Sequence, residues 1–408
     1  MKNIYLDYAG ATPLDPQVER VILRHLKNFG NASSAHAIGR AAKKIIDDSR
    51  LTAAEVLNCR PTEIVFAGSG TESANLAVFG AARAYKSFGR HIVTTKIEHH
   101  AVLRACQYLE RAEDFRVAYL DVEKNGIVNP EAVKKALRSD TILVSVMYAN
   151  NEIGALQPIK AIAKIIRDFR NRQPQTTHPE KLRNGAGYSL QTGGKTPFFH
   201  TDACQAAGAL DLNVQELGVD LMTLNGSKIY GPKGTGCLFV RHGISLAPVI
   251  VGGGQERGLR AGTENPALIA GFAKALEIAD RNKEKESARL TKLRDYLIAE
   301  ILKKIPSARL NGDPKLRLPN NINISFKDID GEMLMLALDQ KGIQVSTGSA
   351  CTATIRQLAD GPSHVIGAIG NPAGWGNLRL TLGRQTTKKD LSHITKVLTE
   401  SVRRLKNN

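Results

Sequence analysis

Short apolar, β-branched runs alternate along this chain with stretches whose apolar positions recur at helical spacing, a pattern that predicts βα units around a mainly parallel sheet. Strands are expected at Glu63 to Ala67, His91 to Ile97, Arg116 to Leu120, Thr141 to Tyr148, Pro197 to Asp202, Leu221 to Leu224 and Gly236 to Val240. Helices fall between most of them. One begins at Asp15-Pro16, where aspartate can cap and proline suits the first turn. The pattern changes near Thr263 to Pro266. A long charged helix follows, roughly Pro266 to Ile305. Beyond it come strands near Asn320 to Phe326, Gly342 to Ser346 and Asn377 to Leu382, then a final helix. The fold class expected is therefore α/β: a large domain with a mainly parallel central sheet flanked by helices, over 15–264, plus a smaller α+β domain made of 1–14 and 265–408. One stretch breaks the rhythm. Asn171 to Thr196 holds Pro174, Pro179 and four glycines where a helix-to-strand connection is usually a handful of residues, so it reads as an inserted surface loop or hairpin.

Composition changes this picture little. A chain of 408 residues can bury a large core, and 42% hydrophobic with 23% charged residues is ordinary for a globular protein. No apolar run is long enough to span a bilayer, and the amino terminus lacks the pattern of a signal peptide. The five cysteines form no C-x-x-C pair, which argues against a zinc site or a disulfide framework and for a reducing, cytoplasmic setting. The formal charge of +17 is spread in short pairs such as Lys43-Lys44 and Lys388-Lys389, without a long basic tract. That reads as a generally basic surface and argues against direct nucleic-acid binding.

The chemistry clusters at strand ends, where open parallel sheets bind ligands. Lys228 lies in Asn225-Gly226-Ser227-Lys228, and Asp202 in His200-Thr201-Asp202-Ala203-Cys204-Gln205, 26 residues upstream. A lysine amine and a carboxylate so placed are what pyridoxal 5'-phosphate needs: the amine forms a Schiff base with the cofactor aldehyde, and the carboxylate pairs with the protonated ring nitrogen. Gly68-Ser69-Gly70-Thr71 follows one strand and opens a helix, a turn that can cradle phosphate. His99, at another strand end, could stack on the ring and shuttle protons. Asn151 closes the strand that ends near Tyr148. Gly252 to Thr263 is glycine-rich and doubly basic, either a flexible connection or an anion-contacting loop reaching a neighbouring site. Cys351 stands in Ser349-Ala350-Cys351-Thr352, with little apolar bulk around it. A nucleophile that must travel between substrate and acceptor would suit such a loop. The other cysteines read as packing residues, with Cys204 ambiguous beside Asp202.

With these motifs together, from Tyr5-Leu6-Asp7 to Leu382-Gly383-Arg384, the chain resembles the cysteine desulfurases of the nitrogen-fixation and iron–sulfur-cluster type, within class V of the pyridoxal phosphate enzymes, which have fold-type I. The resemblance implies that Lys228 holds the cofactor and moves the Cα proton. Asp202 would pair with the ring nitrogen, Gln205 with the ring oxygen, and His99 would stack. Gly70, Thr71, Asn225 and Ser227 would contact phosphate, joined by Thr263 from the second subunit of a homodimer. Asn31, Asn151 and Arg379 would hold the carboxylate of L-cysteine, and Cys351 would take its sulfur as a persulfide. The acceptors implied are an iron–sulfur scaffold, a sulfur carrier or a tRNA-thiolation protein. Two features depart from the family pattern: Ser227 stands where a histidine is usual, and the 171–196 insertion is extra. A selenocysteine lyase or another class V enzyme remains an alternative, as does a non-catalytic sulfur-network scaffold that binds acidic proteins or tRNA.

Overall fold

The computed structural model describes residues 3–173, 196–348, 363–372 and 374–407, and the backbone of 182–183 and 189–190. Its centre is a seven-stranded sheet in the order Ile64–Ala67, Gly236–Val240, Leu221–Asn225, Phe198–Asp202, Thr141–Ser145, His91–Thr95, Arg116–Leu120. All neighbours are parallel except Gly236–Val240, which runs antiparallel to both strands beside it. Most of these strands are buried along their whole length, which is why they read in sequence as continuous apolar runs rather than alternating ones. Each expected strand of this sheet is present, with ends within a few residues of the sequence reading. Two large apolar clusters cover the two faces, one including Phe66, Phe199 and Phe272 and the other Tyr85, Ile92 and Phe198.

A second, three-stranded antiparallel sheet pairs Ala308–Leu310 with Asn321–Lys327, and that strand with Trp375–Thr381. Its own core contains Leu297, Ile301, Ile322, Ile324 and Leu398. The helix Pro266–Lys304 joins the two cores: Phe272 and Leu276 lie in the first, Leu297 and Ile301 in the second. The amino terminus is part of the second core as well, because Ile4–Tyr5 pairs in parallel with Ile343–Gln344. Within 171–196, Leu182–Arg183 and Ser189–Leu190 pair antiparallel.

Local chemistry explains the ends. The Asp15 side chain accepts from the Gln17 N–H at 2.8 Å, capping the helix Pro16–His25; such a cap is worth about 1 kcal/mol. The last helix, Lys388–Lys406, starts with a full capping box between Thr387 and Asp390. The strand Thr141–Ser145 is followed by a turn at 150–154. There the Asn150 carboxamide oxygen accepts from the N–H groups of Glu152 and Ile153, while its nitrogen donates to the Ile97 carbonyl. Gly154 closes this turn at φ +74°, where a Cβ would lie 2.8 Å from the Asn321 side chain. One buried asparagine thus fixes two strand-end segments to each other, and the turn abuts the second sheet.

Candidate active site

Five strand ends of the central sheet open on a single cavity. The helix Gly70–Tyr85 starts at its floor. Helices leave their first N–H groups without intrahelical partners, and the first two residues here, Gly70 and Thr71, line the cavity. Glycine is required at 70: a Cβ there would lie 2.8 Å from Cys204 Sγ and 3.0 Å from Asn225 Cβ. Asn225 ends its strand and caps the tight turn Gly226–Lys228, accepting from the Ser227 N–H and hydroxyl, both at 3.2 Å. Ser227 therefore adjoins the cavity through Asn225.

Lys228 lies half-buried on that turn, and its ammonium donates to the Gly10 carbonyl. Asp202, 7% exposed, ends the neighbouring strand, and its Oδ1 accepts from the Cys204 N–H at 2.9 Å. Gln205 donates to the Ala9 carbonyl at 3.0 Å. His99 caps the helix His100–Ala112, its Nδ1 accepting from the Ala101 N–H at 3.1 Å. A nitrogen that accepts carries no hydrogen, so in the neutral ring the proton sits on Nε2.

Arg379 comes from the second sheet and is 1% exposed. It donates to the Asn151 carbonyl at 3.0 Å and to Asp7 Oδ1 at 2.7 Å. Its Nε is buried with no partner among the described residues. A guanidinium held from two sides, with its Nε–H unspent, is suited to receive a carboxylate.

The cavity thus gathers Gly70, Thr71, His99, Asn151, Asp202 and Gln205, with Asn225, Lys228 and Arg379. Asn31 and Thr263 are exposed and do not line it within one chain. Cys351 lies outside the described residues. Sequence reasoning missed Ala9 and Gly10, whose carbonyls hold Gln205 and Lys228 from an amino-terminal segment that belongs to the other core. No periodicity marks such a contact. Cys204 also lines the cavity, and burial, then the charge of Asp202, raises its thiol pKa well above the ordinary value. It is a neutral thiol there, in keeping with a packing role.

Behind His99, Glu98 is fully buried. Its Oε1 accepts from the Thr95 hydroxyl and the Met147 N–H, both at 2.8 Å, and burial pushes its pKa up to about 8. Two hydrogen bonds to one oxygen do not offset the loss of water around the charge. His200 is also fully buried, between Ser145 and Thr223, and burial lowers its pKa to about 4.

These residues fit pyridoxal phosphate: an amine and a carboxylate at adjacent strand ends, an imidazole across from them, and a glycine-cleared helix start for phosphate. Fold and cavity together define a fold-type I pyridoxal phosphate enzyme. Residues 4–171 and 194–394 match the family described as aminotransferase class-V, and the gap between them falls within 171–196. The chain is 44% identical to a cysteine desulfurase IscS of Dictyoglomus turgidum, over 99% of this chain and 96% of that one. It is 42% identical to a cysteine desulfurase IscS of Methanosarcina thermophila, over 100% and 93%. A solved NifS-like protein superposes with a TM-score of 0.86 at 31% identity, covering 99% of this chain and all of the other. The chain belongs to the class V aminotransferase family, among its cysteine desulfurases.

Proposed function

We propose that this chain converts L-cysteine to L-alanine and carries the sulfur away as a persulfide on Cys351. The observation that carries this reading is the convergence of Lys228, Asp202, His99 and Arg379 on one cavity, whose Arg379 is paired through its backbone with Ser346, five residues before Cys351. Pyridoxal phosphate, when bound, supplies an aldehyde that captures amines and a ring that draws electrons from the substrate Cα.

The side chains divide the work. The guanidinium of Arg379 receives the substrate carboxylate, with Asn151 beside it, and so fixes the Cα. Lys228 would hold the cofactor and, as a free amine, would take the Cα proton. With the cofactor bound, Asp202 would pair with the ring nitrogen, Gln205 with the ring oxygen, and His99, which holds its proton at Nε2, would stack on the ring. The Gly70 and Thr71 amides, with Asn225 and Ser227, bind phosphate. The Cys351 thiolate forms a bond to the substrate sulfur as the C–S bond breaks. The electron pair of that bond stays with carbon, and protonation gives the methyl group of alanine.

Thr263 completes the phosphate site of a second copy in a homodimer; its exposure in the single chain supports this. The persulfide passes to an iron–sulfur scaffold, a sulfur carrier or a tRNA-thiolation protein. Among the described residues no helix is long and apolar enough to cross a membrane, and the cysteine pattern supports a cytoplasmic setting. The large unit spans 15–264, and 1–14 with 265–408 forms the smaller one.

The test is one turnover of cofactor-loaded protein with L-cysteine, followed by mass spectrometry. One added sulfur on the Cys351 peptide, with alanine released, is the expected result. Alanine without that adduct would remove Cys351 from the sulfur step, and no alanine would sink the reading.

A further inference from the structure

Gly348 and Ser363 flank the segment that carries Cys351, and the two meet. A Cβ built on Gly348 would lie 3.8 Å from Ser363 Cβ and 3.2 Å from Glu152 Oε2. The Ser363 hydroxyl donates to that same carboxylate oxygen. Glu152 therefore sits where the chain departs and where it returns.

Glu152 is itself held firmly. It is 1% exposed, its N–H donates to Asn150 Oδ1 at 2.8 Å, and its carbonyl accepts from Asn321 and Asn323 at 3.2 and 3.1 Å. Its neighbour Asn151 gives its carbonyl to Arg379. One turn thus touches the carboxylate-binding arginine on one side and the ends of the Cys351 segment on the other.

The returning end is docked further. Ser363 caps the helix His364–Ala368, accepting from the N–H groups of Val365 and Ile366. Val365, Ile366 and Ile369 pack in an apolar cluster with Ile97, Met147 and Ile153. His364 Nε2 donates to the carbonyl of Glu98, the residue before His99, at 3.0 Å. The departing end is fixed too, since Ser346 exchanges two backbone hydrogen bonds with Arg379 and the Thr347 carbonyl accepts from Asn377.

We propose that Glu152 is a positioning residue for the sulfur-accepting thiol: through Ser363 its carboxylate ties the returning end of the Cys351 segment to the turn that serves the substrate carboxylate. This rests on the desulfurase reading. A misplacement of about 1 Å can cost a reaction about a hundredfold.

The experiment uses cofactor-loaded protein in single turnover and reads two signals. One is the rate of persulfide formation on Cys351. The other is the cofactor absorbance change on adding L-cysteine, which reports substrate arrival. Glu152→Ala and Ser363→Ala are each expected to slow persulfide formation about tenfold, the size of one hydrogen bond to a charged group. The double variant should be no slower than the slower single one, because the two share one contact. Half-saturation of the absorbance change should stay within about twofold of the parent, since Arg379 remains in place. Ser363→Thr, which keeps the hydroxyl, should restore the rate. Single variants as fast as the parent, or a double variant slowed by the product of the singles, would overturn the clamp. If Glu152→Ala does not hold cofactor, the Ser363 pair decides: loss with alanine that threonine fails to restore also overturns it. A parent protein that releases no alanine defeats the desulfurase reading instead, so the two failures are distinct.

Discussion

Cys204 shows how environment sorts chemically identical side chains. It lies in the cavity near the cofactor site, yet burial and the Asp202 charge hold it as a neutral thiol, and only the thiolate attacks sulfur. Cys204→Ala is therefore expected to retain persulfide formation to within about twofold, as a small-for-small packing change. Loss of the Cys351 adduct in that variant, measured by peptide mass spectrometry, would make Cys204 part of the sulfur route. Arg379 illustrates the converse. Its residue type suggested carboxylate binding, but its orphaned Nε and its two-sided anchorage by Asn151 and Asp7 emerge only when two sheets meet. Ser227, where the family pattern has histidine, donates its hydroxyl to Asn225 on the turn that presents Lys228.

At the scale of elements, the strand-end segment 95–100 carries a pH signature. Glu98 binds its proton more tightly folded than unfolded, with a folded pKa of about 8 against an ordinary value of 4.5. The folded state then holds more protons than the unfolded one between these limits, and stability falls as pH rises through that window, by up to about 1.4 kcal/mol per unit. His200 and His100 act oppositely. Burial lowers both to about 4, so they cost stability as pH drops from 6.5 towards 4. Between pH 6.5 and 8 the Glu98 contribution stands without theirs. The expected result is a Tm that declines over this range in the parent and stays nearly flat in Glu98→Gln, which preserves the oxygen that Thr95 and Met147 address. Parallel declines in both proteins, followed by thermal melts, would assign the effect elsewhere.

At the scale of the whole molecule, one chain gathers most of the site but leaves Asn31 and Thr263 outside it. A homodimer in which Thr263 reaches the other copy's phosphate predicts intersubunit complementation. Lys228→Ala and Thr263→Ala would each lower activity when pure. Mixed and allowed to exchange, half of the pairs would hold one intact site, restoring about a quarter of the parent sites. Alanine formation no greater than the average of the two pure variants would show that Thr263 does not act across subunits.

The amino-acid sequence by itself determined the strands of the central sheet, because strands buried on both faces must be apolar throughout. It also determined the helix start at Asp15, whose side chain caps locally. The strand-end residues Asp202, Lys228 and His99 were legible too, since ligand sites of parallel sheets follow strands. Tertiary structure alone decided the rest. The carbonyls of Ala9 and Gly10 act on Gln205 and Lys228 some two hundred positions away, through backbone atoms that carry no residue signature. Glu152 carried no signal of its own in the sequence, and its carboxylate meets Ser363 and nears Gly348 only because packing brings those residues against it. Local propensity and patterning record what a residue does for its own segment; contacts between distant segments exist only once the chain has packed.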